Sequence, residues 1–174
     1  DSLIAASTAG DVGGALAIAR DADGALVRAR LANCTAARGG AISVDNARLR
    51  ALDSWIEGST ASVGGGGVHV ASGGVDLVAT SVRGCRAEVE GGGILAHDSA
   101  LRLTDTRVAE CSTAGDGGGV SLSAGTLAWF SGSTIDKCSV MFARGRGSAL
   151  QISYEAAAHL SSTTVSRSHS QMYG

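Results

Sequence analysis

The sequence contains no proline, and aromatic residues make up only 3% of its 174 positions. It has no stretch of eighteen or more apolar residues, so we expect no membrane-spanning helix. Apolar residues still account for 44% of the chain, and 26 positions are glycine. The length fits one domain, whose core must consist of small and β-branched side chains in thin layers.

The chain also has no large excess of positive or of negative charge. The formal net charge is −2 and Lys137 is the only lysine, so the chain lacks the clustered basic face that nucleic-acid binding requires. The four cysteines form no CxxC pair, which argues against zinc or thioredoxin-type chemistry. The glycine runs do not lead into a phosphate-binding loop. We therefore expect no metal, no cofactor and no nucleic-acid partner.

What the sequence does contain is a glycine-led phrase that returns at a constant interval. Copies begin at Gly13, Gly39, Gly65, Gly91 and Gly117, each 26 residues after the last. They read GGALAI, GGAISV, GGGVHV, GGGILA and GGGVSL, and a degenerate copy, GSALQI, begins at Gly147. A fixed period in this range indicates a solenoid.

Each repeat contains apolar residues two positions apart, which is the strand period. The third copy has three such short runs, GGGVHV, Val75-Asp-Leu77 and Ser81-Val82-Arg, separated by small and polar turn residues. There is no room for a helix. The pattern predicts an all-β fold, a right-handed single-stranded parallel β-helix with three short strands per coil and about six coils. A leucine-rich repeat has a similar period, but it needs a helical return where this chain has glycines.

Coils stacked in register would place like residues above one another at ~4.8 Å, the ordinary spacing between strands. The predicted inward columns are Leu16, Ile42, Val68, Ile94, Val120 and Leu150; Ile18, Val44, Val70, Ala96, Leu122 and Ile152; Leu26, Ala51, Leu77, Leu103, Trp129 and Leu160; and Leu31, Ile56, Val82, Val108, Ile135 and Val165. Arg50, Asp76 and Arg102 form an outward column of alternating charge, which favours this register.

The second glycine of each phrase points the same way as the inward aliphatic residues. We expect the wall to turn there, so that a Cβ would meet the core or require a strained φ. The phrase would then mark one corner of each coil.

The repeat pattern is present at both ends of the chain, at Ser7 and at Ser168, and no polar cap interrupts it. Because solenoids need caps for solubility, we expect residues 1–174 to be one β-helix segment of a longer solenoid, or to have partners over both ends. Residues 139–146 form an insert at one turn.

The phrase GGA[ILV] or GGG[ILV], followed by a strand and by Val82-x-x-Cys85 or its equivalents, resembles the polymorphic outer-membrane-protein repeats. Members of that family carry F-x-x-N where this chain has an aliphatic residue and cysteine or serine. The resemblance covers nearly the whole chain. It implies a right-handed β-helix, an extracellular or cell-surface location and adhesive or structural roles.

Cys85, Cys111 and Cys138 occupy the same turn in consecutive coils. Two interpretations remain open: a buried ladder of thiols that fills the turn, or a disulfide between stacked neighbours, whose Cα atoms would lie within disulfide range.

Two short motifs each have a structural and a functional interpretation. Asn33-Cys34-Thr35 is an N-glycosylation sequon at a predicted turn, so Asn33 is a candidate glycan site if the protein is secreted by a eukaryote. Asp21-Ala-Asp23-Gly resembles a calcium-binding fragment, but it lacks the distal ligands and fits a polar turn better.

Catalysis would need paired carboxylates, or a base and a cation, on one face. His69 and His97 lie near Asp98, Asp105 and Glu110 in sequence. The outward column that contains His69 has no acid, however, so we expect no enzyme activity.

The 139–146 insert carries Met141, Phe142, Arg144 and Arg146. An apolar tip with arginines suits a protein contact, although the apolar pair could equally fold back on the wall. Trp55 faces outward and is a weaker candidate for stacking on a carbohydrate.

These observations favour a non-catalytic structural or adhesive segment of a larger surface protein. Its expected partners are other subunits or flanking coils, with glycans as a second class. The alternatives are a carbohydrate-active β-helix enzyme and a polysaccharide-binding module without catalysis.

Overall fold

The computed structural model describes residues 2–141 and 145–170, and every regular element in that part of the chain is a strand. The strands, numbered in chain order, form four parallel sheets that we number by their order along a coil. Sheet 1 contains β2 (Leu16–Ala19), β6 (Ile42–Asp45), β10 (Val68–Ala71), β14 (Ile94–His97), β18 (Val120–Ser123) and β22 (Leu150–Ile152). Sheet 2 contains β3 (Asp23–Val27), β7 (Arg48–Leu52), β11 (Gly74–Val78), β15 (Ala100–Thr104), β19 (Leu127–Ser131) and β23 (Ala157–Ser161).

The other two sheets complete each coil. Sheet 3 contains β1 (Ser2–Ala5), β4 (Ala29–Ala32), β8 (Trp55–Glu57), β12 (Ser81–Arg83), β16 (Arg107–Ala109), β20 (Thr134–Asp136) and β24 (Thr164–Ser166). Sheet 4 contains β5 (Thr35–Arg38), β9 (Thr60–Gly64), β13 (Arg86–Ala87), β17 (Ser112–Thr113), β21 (Ser139–Val140) and β25 (His169–Ser170). Every strand pairs with the equivalent strand one coil away.

The fold is therefore an all-β parallel solenoid of about six coils, as the sequence predicts. The three predicted strands of each coil are present in sheets 1, 2 and 3. Sheet 4 is an addition, and four of its strands are only two residues long. Two residues are too few to show a period of two, which is why the sequence pattern does not reveal them.

Each coil turns at corners that contain a residue in the left-handed region, with φ between 45° and 74°. One such set begins the glycine phrases, and Gly65 has a φ of 65°. Another set precedes the cysteine column and includes Asn33, Glu110 and Lys137. Only a sharp local bend lets strands of two to five residues close a coil, so these conformations recur in every turn.

The second glycine of each phrase has a different constraint from the one predicted. The positive φ falls on the first glycine, and a Cβ on the second would collide with backbone rather than with the core. At Gly66 it would run into the carbonyl oxygen of Gly92 in the next coil and into the backbone of Arg86. Stacked coils approach closely here, so the position excludes any side chain.

The four predicted inward columns form the core, with one error. Val68 and Val120 are fully buried, as are most of their column neighbours. In the third column the residue paired with Leu103 and Leu160 is Phe130, which is 1% exposed, and not Trp129. The turn before β19 has one extra residue, and a shift of one residue exchanges the two faces of a strand. Trp129 therefore faces outward, where the Arg102 guanidinium lies 5.1 Å from its ring.

Replacing Gly66 with alanine should destabilise the fold by about 2 kcal/mol or more, because the backbone of two neighbouring coils must move. Gly10→Ala is the matched control, since a Cβ there has no neighbour within 4 Å and the position does not require a positive φ. We expect Gly10→Ala to change stability by less than about 1 kcal/mol. Urea unfolding of both variants measures the difference, and equal losses would contradict close contact at Gly66.

Candidate functional site

A cleft of about 230 Å³ opens on the outer face of sheet 1. We call it the His69 cleft, and its lining residues are Val12, Arg38, Ser43, Asp45, His69, Ala71 and His97. It combines a cation, a carboxylate, a hydroxyl group and two imidazoles.

The register of three neighbouring strands brings these side chains together. Ser43 pairs with His69, and Asp45 pairs with Ala71, which pairs with His97. Alternate residues of a strand share a face, so the strand partners at both positions lie on the outside of sheet 1. Arg38 ends β5 immediately before the glycine corner. The chain bends at Gly39, and Arg38 lines the cleft beside Ser43 and Asp45 of the strand that follows.

His69 is nearly enclosed at this site. The side chain is 9% exposed, and its Nδ1 is buried without a hydrogen-bond partner among the described residues. Burial, with smaller contributions from the nearby charges of Arg38 and His97, lowers the pKa of His69 from 6.5 to about 4, against the opposing effect of Asp45. The ring is therefore neutral at neutral pH.

The other polar groups of the cleft are only partly used by the fold. Arg38 lies 3.5 Å from an Asp11 carboxylate oxygen, an exposed ion pair. His97 Nδ1 lies 3.2 Å from the Ser123 hydroxyl oxygen. The Asp45 carboxylate has no ion-pair or hydrogen-bond partner in the described part of the chain. A ligand could engage Asp45 and the free side of Arg38.

The carboxylates that lie near His69 and His97 in sequence do not line the cleft. Glu110 pairs with Arg83 at 2.9 Å, Asp98 accepts a hydrogen bond from Ser72, and Asp105 lies at the corner that precedes sheet 3. The outward column through His69 indeed has no acid. Asp45 belongs to the next outward column of sheet 1, and Arg38 belongs to a strand of sheet 4. Neither residue was therefore identified from the sequence. Their positions on either side of the phrase GGAISV could have indicated them.

A longer groove of about 590 Å³ follows the corner between sheets 1 and 2. Asp21, Asp23 and Asp98 line it together with Arg48. Asn46 Nδ2 donates to Asp21 Oδ1 at 3.2 Å, which ties the Asp21-Ala-Asp23-Gly turn to the corner of the next coil. Across the described residues, no group of three or more His, Cys, Asp or Glu is placed to hold a metal ion.

The cysteines form a column just after one set of corners, and all four are free and fully buried. Cys34 belongs to this column as well, one coil before Ser59. Each side chain bonds to the carbonyl two residues earlier, as Cys111 Sγ does to Ala109 O at 3.3 Å. Ser59 makes the same bond to Glu57 O at 3.2 Å. This position of the coil therefore favours small side chains that hydrogen-bond to the backbone. Within the column, hydrogen bonds with Cys138 and Cys85 raise the pKa of the Cys111 thiol.

The remaining candidates lie on the surface. Trp55 is 45% exposed and faces a depression shared with Leu3 and Arg30. Asn33 is an exposed corner residue with a φ of 55°. In the insert, Met141 is half-buried and the backbone N–H of Arg146 donates to Asp116 at 2.6 Å. Phe142 and Arg144 lie outside the described residues.

No protein-family model, curated protein or solved structure matches the chain. In residues 2–141 and 145–170 there is no helix of the length and apolarity that crossing a membrane requires.

The lowered pKa of His69 predicts a specific acid sensitivity. The unfolded histidine takes up a proton near pH 6.5 and the folded one only near pH 4, so the unfolding free energy falls as the pH drops through this window. The full difference corresponds to about 3 kcal/mol at most. His69→Gln should flatten this segment of the stability–pH curve, whereas the exposed His159→Gln should not. A His69 imidazole that titrates near pH 6.5 by NMR would contradict the enclosed, neutral ring.

Thiol counting tests the cysteine column. In the native protein we expect no reaction with a thiol reagent, because all four side chains have zero exposure. After denaturation without reductant, four thiols per chain should react. A count of two would show that a stacked pair is oxidised to a disulfide.

Proposed function

We propose that the chain is a rigid, non-catalytic scaffold segment of a larger extracellular or cell-surface protein, with structural or adhesive contacts to other subunits or flanking coils. Parallel strands join every coil to the next in four sheets, so the backbone hydrogen bonds run along the whole solenoid axis. A continuous ladder of this kind supports a mechanical role, since no coil can bend without loss of bonds to its neighbours.

Ion pairs on the outer face of sheet 3 also join consecutive coils. Arg30 pairs with Glu57 at 2.7 Å. Asp136, whose side chain is 1% exposed, accepts hydrogen bonds from Arg107 at 3.0 Å and Arg167 at 2.7 Å. The Arg167 hydrogen bond chiefly lowers the pKa of Asp136, opposing the effect of desolvation. The exposed pair contributes little, but the shared carboxylate of Asp136 fixes the register of three coils.

Support comes above all from the two end faces of the solenoid. The inward columns are buried in the middle coils but exposed in the outermost ones, where Ile4 is 39%, Ile152 44%, Leu160 41% and Val165 47% exposed. In the described part of the chain, the outermost strands at each end pair with another strand on one side only. Such apolar, edge-bearing faces suit further β-coils stacked in the same register.

Lateral contacts would use other surfaces. Trp55 and Leu3 are exposed on the outer face of sheet 3, one on each side of Arg30, and Arg146 is exposed at the insert. Asn33 points to solvent and could carry a glycan in a eukaryotic secretory pathway. The resemblance to polymorphic outer-membrane-protein repeats supports the surface location and the adhesive role.

The second candidate function is that of a carbohydrate-active enzyme. The His69 cleft places a neutral imidazole and the Arg38 cation on one face, and the corner groove gathers three aspartates. These are the types of group that sugar chemistry uses. Turnover of a polysaccharide that is lost in His69→Gln would favour this alternative over the scaffold.

The end faces give the direct test of the scaffold proposal. We expect the weight-average mass in sedimentation experiments to rise with concentration, because exposed end faces stack on one another. Leu160→Lys combined with Val165→Lys places charge on one end face and should abolish this association. Val89→Lys is the matched control, since Val89 is 50% exposed but lies in a middle coil. A wild-type chain that stays monomeric, or a control that behaves like the double variant, would contradict the proposal.

A further inference from the structure

The His69 cleft contains polar groups for which the fold has no use. The Asp45 carboxylate has no ion-pair or hydrogen-bond partner among the residues that the structure describes, where the Arg38 guanidinium pairs with Asp11 alone. His69 is more than nine-tenths buried and lines the same cleft. Unused charged and buried polar groups that converge on one cavity indicate a ligand.

The position of the imidazole proton follows from the burial of Nδ1. This atom is enclosed and has no hydrogen-bond partner in the described chain. A buried N–H without an acceptor costs about 1–3 kcal/mol, and orphaned buried N–H groups are rarer than unpaired acceptors. The proton of the neutral ring therefore belongs on Nε2, the nitrogen that is left to face the cleft. His69 then offers the cleft one N–H donor.

Donors and acceptors are thus divided between two sides of the cleft. The Arg38 guanidinium and the His69 Nε2–H can both donate to one anionic group, and guanidinium suits a carboxylate in particular. Asp45 can only accept, so a ligand group near it must donate. The volume of about 230 Å³ is below the ~300–1,000 Å³ of pockets for drug-sized ligands.

We propose that the His69 cleft binds a small hydroxycarboxylate, whose carboxylate accepts from Arg38 and His69 Nε2–H and whose hydroxyl group donates to Asp45. The site goes beyond the scaffold function and does not depend on it. Simple hydroxy acids and the sugar acids of polysaccharides share this chemistry.

Related ligands fit the same groups less well. A carboxylate without a hydroxyl group is repelled by the Asp45 carboxylate and has no hydrogen bond to donate to it. A neutral sugar leaves the Arg38 charge unused.

Calorimetric or NMR titrations with L-lactate, D-glucuronate, acetate and glucose test the proposal. We expect at least one hydroxycarboxylate to bind in the millimolar range and about tenfold more tightly than acetate or glucose, a difference of ~1.4 kcal/mol. A preference for lactate would identify a simple hydroxy acid as the ligand. A preference for glucuronate would identify a sugar acid.

Three variants assign the contacts, and all three replace exposed side chains. Arg38→Gln should weaken hydroxycarboxylate binding about tenfold or more. Asp45→Ala should remove the preference for lactate over acetate without weakening acetate. Arg50→Gln is the matched control, because Arg50 is also an exposed arginine but lies on the outer face of sheet 2, outside the cleft. It should leave binding unchanged.

Several results would overturn the proposal. Equal affinities for acetate and lactate would show that Asp45 selects no hydroxyl group, and equal affinities for glucose would show that Arg38 selects no carboxylate. A loss in Arg50→Gln that matches the loss in Arg38→Gln would mean non-specific attraction. No binding of either hydroxycarboxylate at tens of millimolar would reject the site.

Discussion

The in-register stacking of equivalent strands is the interaction on which the rest of the structure depends. Each strand is too short to be stable alone, and the strand pairing in the described residues joins it to the coil before and the coil after it. Three features require that one coil lie directly over the next. They are the close approach of backbones at the glycine corner, the buried aliphatic columns, and the column of hydroxyl and thiol groups that follows the corners. Small residues dominate the chain because this geometry leaves little space inside each turn.

The same stacking assembles the His69 cleft from side chains of neighbouring coils. The His69 cleft contains residues far apart in sequence, which the register places within one small cavity. The repeated backbone positions the side chains of the cleft, but its polar residues are departures from the repeat. A different residue occupies the equivalent position of a neighbouring coil for each of Arg38, Asp45, His69 and His97. A slip of register by one residue would separate all of these groups at once.

Sequence periodicity was sufficient to predict the solenoid, the first three strands of each coil and nearly all of the inward columns, because these depend on local alternation and a fixed interval. It misplaced Trp129, since an extra turn residue before β19 reverses the faces of that strand. It missed sheet 4, whose shortest strands have no detectable alternation. It identified His69 but not Arg38 or Asp45, because their proximity is set by the angle of a corner and by neighbouring coils, neither of which a column alignment contains.

Distances between spin labels on one outward column test the stacking most directly. Ala25, Arg50, Asp76, Arg102, Trp129 and His159 occupy successive coils of sheet 2 at the same register position. With the native cysteines replaced by serine, labels at Ala25 and His159 span five steps of ~4.8 Å, or about 24 Å. Moving the second label to Trp129 should shorten the distance by one step, to about 19 Å. Distances that do not change by one strand spacing per coil would contradict an in-register solenoid.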